Sequence, residues 1–325
     1  MSQTVRDWPQ FGQGTLLAVH AHPDDESLST GGLLAAWHQA GGRAVVITAT
    51  RGERGETIGD EFSHLEGDHP GMAAHRHGEL RGALDALGVN HHRFLDAYAE
   101  PQSRWADSGM AWLDVAGGTA GATARIPAGS FMAADQDAVV AALGRALADV
   151  RPRVVVTYGP DGGYGHPDHV RVHQVTMAAV RVAVERGAAP IESVLWRTID
   201  PQAAAVTAAA LAEQWSQIQH EAIGRSGHRR ALRPPMPAAS ALPVVEDDLV
   251  RVPIAAVTQD VISALQAHRT QVQFIRRVDQ SPDSTTGNPL VAVYALSNGV
   301  LQGMEDHETY RANPPLAPAK SGSVN

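Results

Sequence analysis

The chain has 325 residues, enough to bury the core of one large domain or of one domain with an appendage. A formal net charge of −9 argues against a nucleic-acid-binding surface. There is no cysteine, which excludes disulfides, thiolate nucleophiles and thiolate metal sites, so any transition metal must be held by nitrogen and oxygen.

Residues 1–14 are polar and lack the basic-then-apolar pattern of a signal peptide, and no apolar run approaches the length of a membrane span. The expectation is a soluble cytoplasmic protein. Residues 16–19 (Leu-Leu-Ala-Val) read as a buried strand that stops abruptly, and residues 20–26 then offer two histidines, two aspartates and a glutamate. Thr30 and Gly31-Gly32 open a helix over 33–40, which Gly41-Gly42 end. Residues 43–49 read as a second strand, followed by a charged, glycine-rich loop over 50–57 that suits a wall facing a polar ligand. Leu80, Ala83, Leu84 and Leu87 recur at i, i+3, i+4 and i+7, so 73–87 is an amphipathic helix, and 93–95 is a short strand.

From 98 to 133 no periodicity survives, and so long a loop inside a compact domain points to function or disorder; 103–110 reads as the functional part and 116–124 as mobile. A helix spanning 139–150 precedes a strand over 153–157 and a second cluster, Tyr164-Gly165-His166-Pro167-Asp168-His169. Pro167 suits a first helical turn, so a helix runs from there to about 185, before a strand over 193–197. Strand and helix alternate through residue 198, which predicts an α/β fold: a Rossmann-like, mostly parallel sheet with helices on both faces. Beyond it the pattern weakens to a helix over 203–220, a Pro/Arg/Ala-rich linker over 229–243, strands over 249–252 and 291–296, and a helix over 258–276 between them. The expected organisation is a metal-binding catalytic domain over 1–198, a smaller α+β portion over 199–311 packed on it, and a disordered Pro/Ala/Ser-rich tail over 312–325.

Two strands that each deliver imidazoles and carboxylates at their exits suggest the two halves of one metal site, at the sheet edge where open α/β folds place ligands. A hydrolytic site needs three protein ligands and an open position for water. His22 and Asp25, three apart across Pro23, can reach one ion together, with His169 arriving from the other strand. Adjacent carboxylates project different ways, so Asp24 can face the water while Asp25 binds metal, and a carboxylate so placed can take the water's proton and pass it to a leaving amine. His166 lies a turn from His169, close enough to act on substrate oxygen, and Asp168 can set that imidazole's tautomer or raise its pKa.

These motifs resemble the LmbE-like (PIG-L) superfamily of zinc-dependent N-acetylglucosaminyl deacetylases, and within it the branch acting on N-acetylglucosaminyl-inositol in mycothiol biosynthesis. The similarity takes in residues 20–29, 162–169, 55–60, 104–110 and 267–271; it covers most of 15–175 and is patchy afterwards. The resemblance implies that His22, Asp25 and His169 bind Zn2+, with Fe2+ able to use the same ligands, and that Asp24 is the general base. It implies that Tyr164 and His166, the latter supported by Asp168, stabilise the oxyanion. Arg76 matches an inositol-contacting arginine, with Glu56 and Asp107 as hydroxyl acceptors. Ser29 stands where the related mycothiol-conjugate amidases carry lysine, which favours the deacetylase. The expected partner is a small amino-sugar substrate, with neither nucleic acid nor membrane. A metal-dependent phosphoesterase, which needs two ions, and a non-catalytic sugar-binding protein are the alternatives from other classes. Gly159, Gly162, Gly163 and Gly165 have no lysine or Ser/Thr in Walker spacing, so they shape a turn rather than cradle phosphate.

Overall fold

The computed structural model describes residues 3–4, 11–101, 103–114, 119–225, 231–235, 249–278 and 289–313. Its centre is an eight-stranded sheet. The chain enters with β1 (Gln3–Thr4), β2 (Thr15–His20), α1 (Asp25–Gln39), β3 (Arg43–Thr48), α2 (His69–Ala86) and β4 (His91–Phe94). A hairpin, β5 (Ala111–Asp114) and β6 (Thr119–Gly121), stands apart, before α3 (Gln136–Val150), β7 (Val154–Tyr158), α4 (Pro167–Glu185) and β8 (Ser193–Arg197). Then come α5 (Pro201–Arg225), β9 (Leu249–Pro253), α6 (Thr258–Ala267), β10 (Gln273–Arg277), β11 (Leu290–Ala295), β12 (Leu301–Glu305) and β13 (His307–Asn313).

The sheet order is β1-β9-β13-β8-β7-β2-β3-β4. Strands β8, β7, β2, β3 and β4 run parallel, as the βα alternation requires. β13 inserts antiparallel between β8 and β9, and β10, β11 and β12 form a separate antiparallel sheet. The strands are aliphatic on both faces because both are covered. α1, α2 and α6 pack Leu33, Trp37, Leu80, Leu84 and Val261 on one side. α3 and α4 pack Leu143, Leu147, Val172 and Val180 on the other. Among the described residues no helix is long and apolar enough to cross a membrane.

Three local expectations need correction. α1 starts at Asp25, well before residue 33, because the Asp24 carbonyl already accepts the amides of Ser27 (3.0 Å) and Leu28 (2.9 Å). The glycine pair that reads as a helix start lies inside the helix for a packing reason. A Cβ on Gly32 would meet Ile254 at 2.2 Å and the Glu308 carboxyl at 2.9 Å. Glu308, from β13, accepts the amides of Gly32 (2.7 Å) and Leu33 (2.8 Å), tying the helix to the sheet in mid-span. The helix expected over 258–276 stops at Ala267, and residues 273–277 form β10. Of the disordered tail expected over 312–325, Ala312 and Asn313 are instead the end of β13, and 314–325 lie outside the described residues. Of the linker over 229–243, only 231–235 are described, and Arg233 there bridges to Val300. Of 116–124, residues 119–121 are β6 and 116–118 lie outside the described residues.

Gly32→Val should destabilise the protein by about 1–3 kcal/mol, the usual cost of overpacking a filled site. A urea-unfolding midpoint unchanged from the parent would show that α1 and β13 are not in the tight contact described.

Candidate active site

β2 and β7 pair in parallel, with Leu16, Leu17 and Ala18 opposite Val154, Val155 and Val156, so their carboxyl ends lie side by side. From β2 the chain goes out to β3 on one flank, while β7 is followed by β8 on the other. This is the switch point at which an α/β sheet leaves a crevice. The two clusters empty into it from opposite strands.

His22, Asp25 and His169 converge there. His22 Nδ1 is 3.4 Å from Asp25 Oδ2 and 3.3 Å from His169 Nε2, which is itself 3.3 Å from Asp25 Oδ1. Donors bound 2.0–2.2 Å from a tetrahedral ion stand roughly 3.3–3.6 Å apart, so the two ring nitrogens and the Asp25 carboxylate, which meets one ring through each oxygen, approach one another at the spacing of such a shell. The outer nitrogens agree. His169 Nδ1 is 3.1 Å from the Gly162 carbonyl and His22 Nε2 is 3.2 Å from Asp168 Oδ2, so the outward nitrogen of each ring has an acceptor and the inward nitrogen faces the gap. The residues present therefore fit a cation. His166 also brings a ring nitrogen within 4.8 Å of those of His22 and His169, and Asp107 and Asp168 gather at the far side of His22. The latter grouping uses His22 Nε2, whose partners are already carboxylates, and lacks a second imidazole.

Local sequence explains the shape. Gly162, Gly163 and Gly165 hold φ of 68°, 82° and 88°, so they do shape a turn. A Cβ on Gly162 would press within 2.8 Å of His169 Cβ and would displace the carbonyl that orients its ring. Asp24 is not glycine yet has φ 113° and ψ −30°, a strained backbone costing of order 1–3 kcal/mol. Its carboxylate lies 3.2 Å from Arg76, whose guanidinium is buried and also donates to the carbonyls of Gly52 (2.9 Å) and Pro23. Arg76 thus fastens Asp24 to the loops around it.

The electrostatics separate the groups. Burial pushes Asp24 up to about 7, with Asp25 adding to the rise and Arg76 opposing it. Burial also presses on Asp25, but the imidazoles of His169 and His22 outweigh it and hold that carboxyl well below its usual range. Burial lowers His22, yet Asp107, Asp168 and Asp25 together raise it well above an ordinary imidazole. His166 is pushed well down by burial, His22 and His169, so it is neutral at pH 7. Its Nδ1 accepts the Asp168 amide at 3.2 Å, leaving the proton on Nε2. Tyr164 is held far above its normal value by burial and by Asp25 and Asp24, and its hydroxyl keeps its proton.

Asp168 therefore supports a different histidine from the one expected. Its Oδ2 meets His22 Nε2 and accepts the Ser108 amide (3.0 Å), while only its backbone amide reaches His166. Asp107 is buried; its Oδ1 accepts the Gly109 amide (2.7 Å) and sits 3.6 Å from His22 Nε2, and its Oδ2 accepts the Arg54 amide (3.2 Å). Glu56 is exposed on the wall of the cavity, which holds about 690 Å³. Three residues carry no role in the sequence reading. Tyr158 stacks on His169 (centroids 4.1 Å, 10°) and its hydroxyl accepts the Ala21 amide at 2.8 Å; an aromatic closing an otherwise aliphatic strand was the available signal. Glu53 accepts the Asp107 amide (3.0 Å) and bears no mark that sets it apart from its charged loop. Trp112 stacks beside Tyr164 and lines the cavity, in a stretch without periodicity.

Imidazoles and carboxylates gathered around one cation-sized gap, with a further carboxylate and protonated donors facing it, define an α/β hydrolytic enzyme of the deacetylase class. Residues 17–180 match the model of the GlcNAc-PI de-N-acetylase (PIG-L) family. A relative from Kineococcus radiotolerans is 40% identical over 302 residues, covering 91% of this chain and 76% of its own. One from Nocardia farcinica is 39% identical over 300 residues, covering 91% and 89%. Both bear the name 1D-myo-inositol 2-acetamido-2-deoxy-alpha-D-glucopyranoside deacetylase. A solved N,N'-diacetylchitobiose deacetylase from Pyrococcus horikoshii is similar with TM-score 0.46 and 16% identity, over 94% of this chain and 87% of that one. The chain belongs to the PIG-L deacetylase family.

His169→Ala should abolish stoichiometric divalent-metal content, measured by elemental analysis of purified protein, whereas Asp24→Asn should retain it. Because His22 carries a proton when no cation competes, metal uptake at neutral pH should release protons and weaken as pH falls. Calorimetry in buffers of different ionisation enthalpy measures that release, and a buffer-independent heat would contradict it.

Proposed function

We propose that the protein is a Zn2+-dependent N-deacetylase that removes acetate from 1D-myo-inositol 2-acetamido-2-deoxy-alpha-D-glucopyranoside. The observation that carries this reading is the mutual 3.3–3.4 Å spacing of His22, Asp25 and His169 beside an unligated Asp24. The names of the relatives supply the substrate. His22, Asp25 and His169 would hold the ion, nitrogen and oxygen donors in the number a catalytic zinc site uses. When bound, such an ion acidifies water and polarises an acyl oxygen.

The chain's own groups divide the remaining work. Asp24 takes a proton from the water that attacks the acetyl carbonyl, then delivers it to the amine nitrogen as the C–N bond breaks. The products are acetate and the free amino sugar. The Tyr164 hydroxyl and the His166 Nε2–H donate to the oxygen on which negative charge develops; each such donor removed typically costs about 10²–10³-fold. Asp168 acts through His22 rather than through His166, fixing the ligand's ring. Arg76 keeps Asp24 ionisable near neutrality, and Glu56 with Asp107 on the cavity wall are the acceptors for substrate hydroxyls. The enzyme works in the cytoplasm on this small amino-sugar substrate, with neither nucleic acid nor membrane as partner.

Asp24→Asn should lower kcat by about 10²–10⁴-fold while metal content stays stoichiometric. Full activity in that variant would remove Asp24 as the base. Arg76→Gln removes a positive charge that lowers the Asp24 pKa, so the acid limb of kcat/KM should move to higher pH. A shift to lower pH would mean that another group controls the limb. Acetate release from the inositol glycoside, compared with cleavage of a mycothiol thioether conjugate, tests the substrate; preference for the conjugate would reassign the enzyme as an amidase.

A further inference from the structure

The stretch Ala267-His268-Arg269-Thr270-Gln271 lies far along the chain from both clusters, yet it is braced against their surroundings from several sides. Thr270 donates its amide (2.8 Å) and hydroxyl (2.6 Å) to Glu79 of α2, one turn from Arg76. Its carbonyl accepts the Ile58 amide at 2.9 Å, and Gln271 Nε2 reaches the Glu56 carbonyl at 3.0 Å. His268 turns inward. Its Nε2 donates to Glu26 Oε1 at 2.7 Å, both side chains are fully buried, and its buried Nδ1 has no partner among the described residues.

Glu26 is the last residue of the first motif and touches no ligand atom of the proposed metal shell. Its Oε1 also accepts the Ser27 hydroxyl at 2.6 Å, and its Oε2 accepts the backbone amide of Asp24 at 2.9 Å. That amide belongs to the residue with φ 113°. A non-glycine residue stays in such a conformation only where its surroundings over-determine it. Two devices do so here. Arg76 grips the side chain and the preceding carbonyl, while Glu26 grips the amide. Glu26 is in turn held by His268, at the end of α6, so a residue 244 positions downstream sets the direction in which the Asp24 carboxylate points.

We infer that His268 and Glu26 are positioning residues for the deacetylation, acting through the Asp24 backbone rather than on substrate or metal. The inference deepens the function proposed above and rests on it for its kinetic half only. A merely structural pair would change the amount of folded protein and leave each folded molecule's turnover alone. A positioning pair changes kcat with little effect on KM, because substrate contacts and the metal shell stay in place.

The test uses the full-length, metal-loaded protein. His268→Leu, which removes the donor, should lower kcat by about 30-fold or more with KM within about threefold of the parent and metal content unchanged. His268→Gln, which keeps an N–H donor, should restore at least about a third of the parent kcat. If the leucine variant does not fold, Glu26→Gln serves instead. It keeps the shape but offers one oxygen where His268, Ser27 and the Asp24 amide require two, and the same loss in kcat is expected. A crystal structure of either impaired variant should show residue 24 relaxed to negative φ. Parent-like kcat in both His268→Leu and Glu26→Gln, or an unchanged positive φ at residue 24, overturns the inference. Absence of acetate release from the parent itself would fail the proposed function instead, and the φ of residue 24 would still decide the positioning role.

Discussion

The contact between His22 and His169 is the constraint on which the remainder depends. These two imidazoles are 147 residues apart in sequence and 3.3 Å apart in space. Nothing local brings them together. They meet because β2 and β7 are neighbours in the sheet, run the same way, and end level with one another. A change of one residue in that register would swing every side chain to the opposite face and separate the rings. Both strands are aliphatic and buried, and the register is marked by cross-strand contacts at their ends: Thr157 Oγ1 donates to the Val19 carbonyl at 3.0 Å and the Ala21 amide donates to the Tyr158 hydroxyl at 2.8 Å.

Placing so many carboxylates in one crevice has an electrostatic consequence. Asp25, Asp107, Asp168 and the ring of His22 form a compact network in which the imidazole is driven to keep a proton. Buried negative charge of this density is costly without a counter-charge. A divalent ion held at the inner face of His22 would take the place of that proton and supply counter-charge to the network. Asp24 stands apart from its neighbours because its closest cation is Arg76 rather than an imidazole. Burial raises it while Asp25 is held down, and two adjacent carboxyls thereby acquire different tasks.

Much of this was legible in the chain itself. The parallel core could be read from aliphatic runs separated by helical periodicity, and β3, α4 and β8 stand where those signals put them. The meeting of His22, Asp25 and His169 was legible because they sit in two dense clusters behind such runs. The misreadings share a physical cause: each concerns a residue whose partner is distant. Gly32 looks like a helix boundary until Glu308 and Ile254 arrive against it. Asp168 looks like the partner of His166, its near neighbour in sequence, but its side chain faces His22 across the crevice. β13 has no strong alternation of its own, and its place between β8 and β9 follows from partners supplied on both sides. The loop bearing Glu53 and the short hairpin strand bearing Trp112 show no periodicity in the sequence, so their inward orientation could not be anticipated.

The carboxyl-terminal part of the chain reaches the crevice by two routes. Glu308 enters from β13 and holds the middle of α1, the helix that begins at Asp25. The loop after α6 braces α2 through Glu79 and the start of α1 through Glu26. α1 and α2 carry Asp25 and Arg76, whose positions decide where the cation and the base can sit. Motifs in the first half of the chain therefore supply the reacting groups, while contacts from the second half fix their aim. Such contacts ask only for a donor or an acceptor at one point in space.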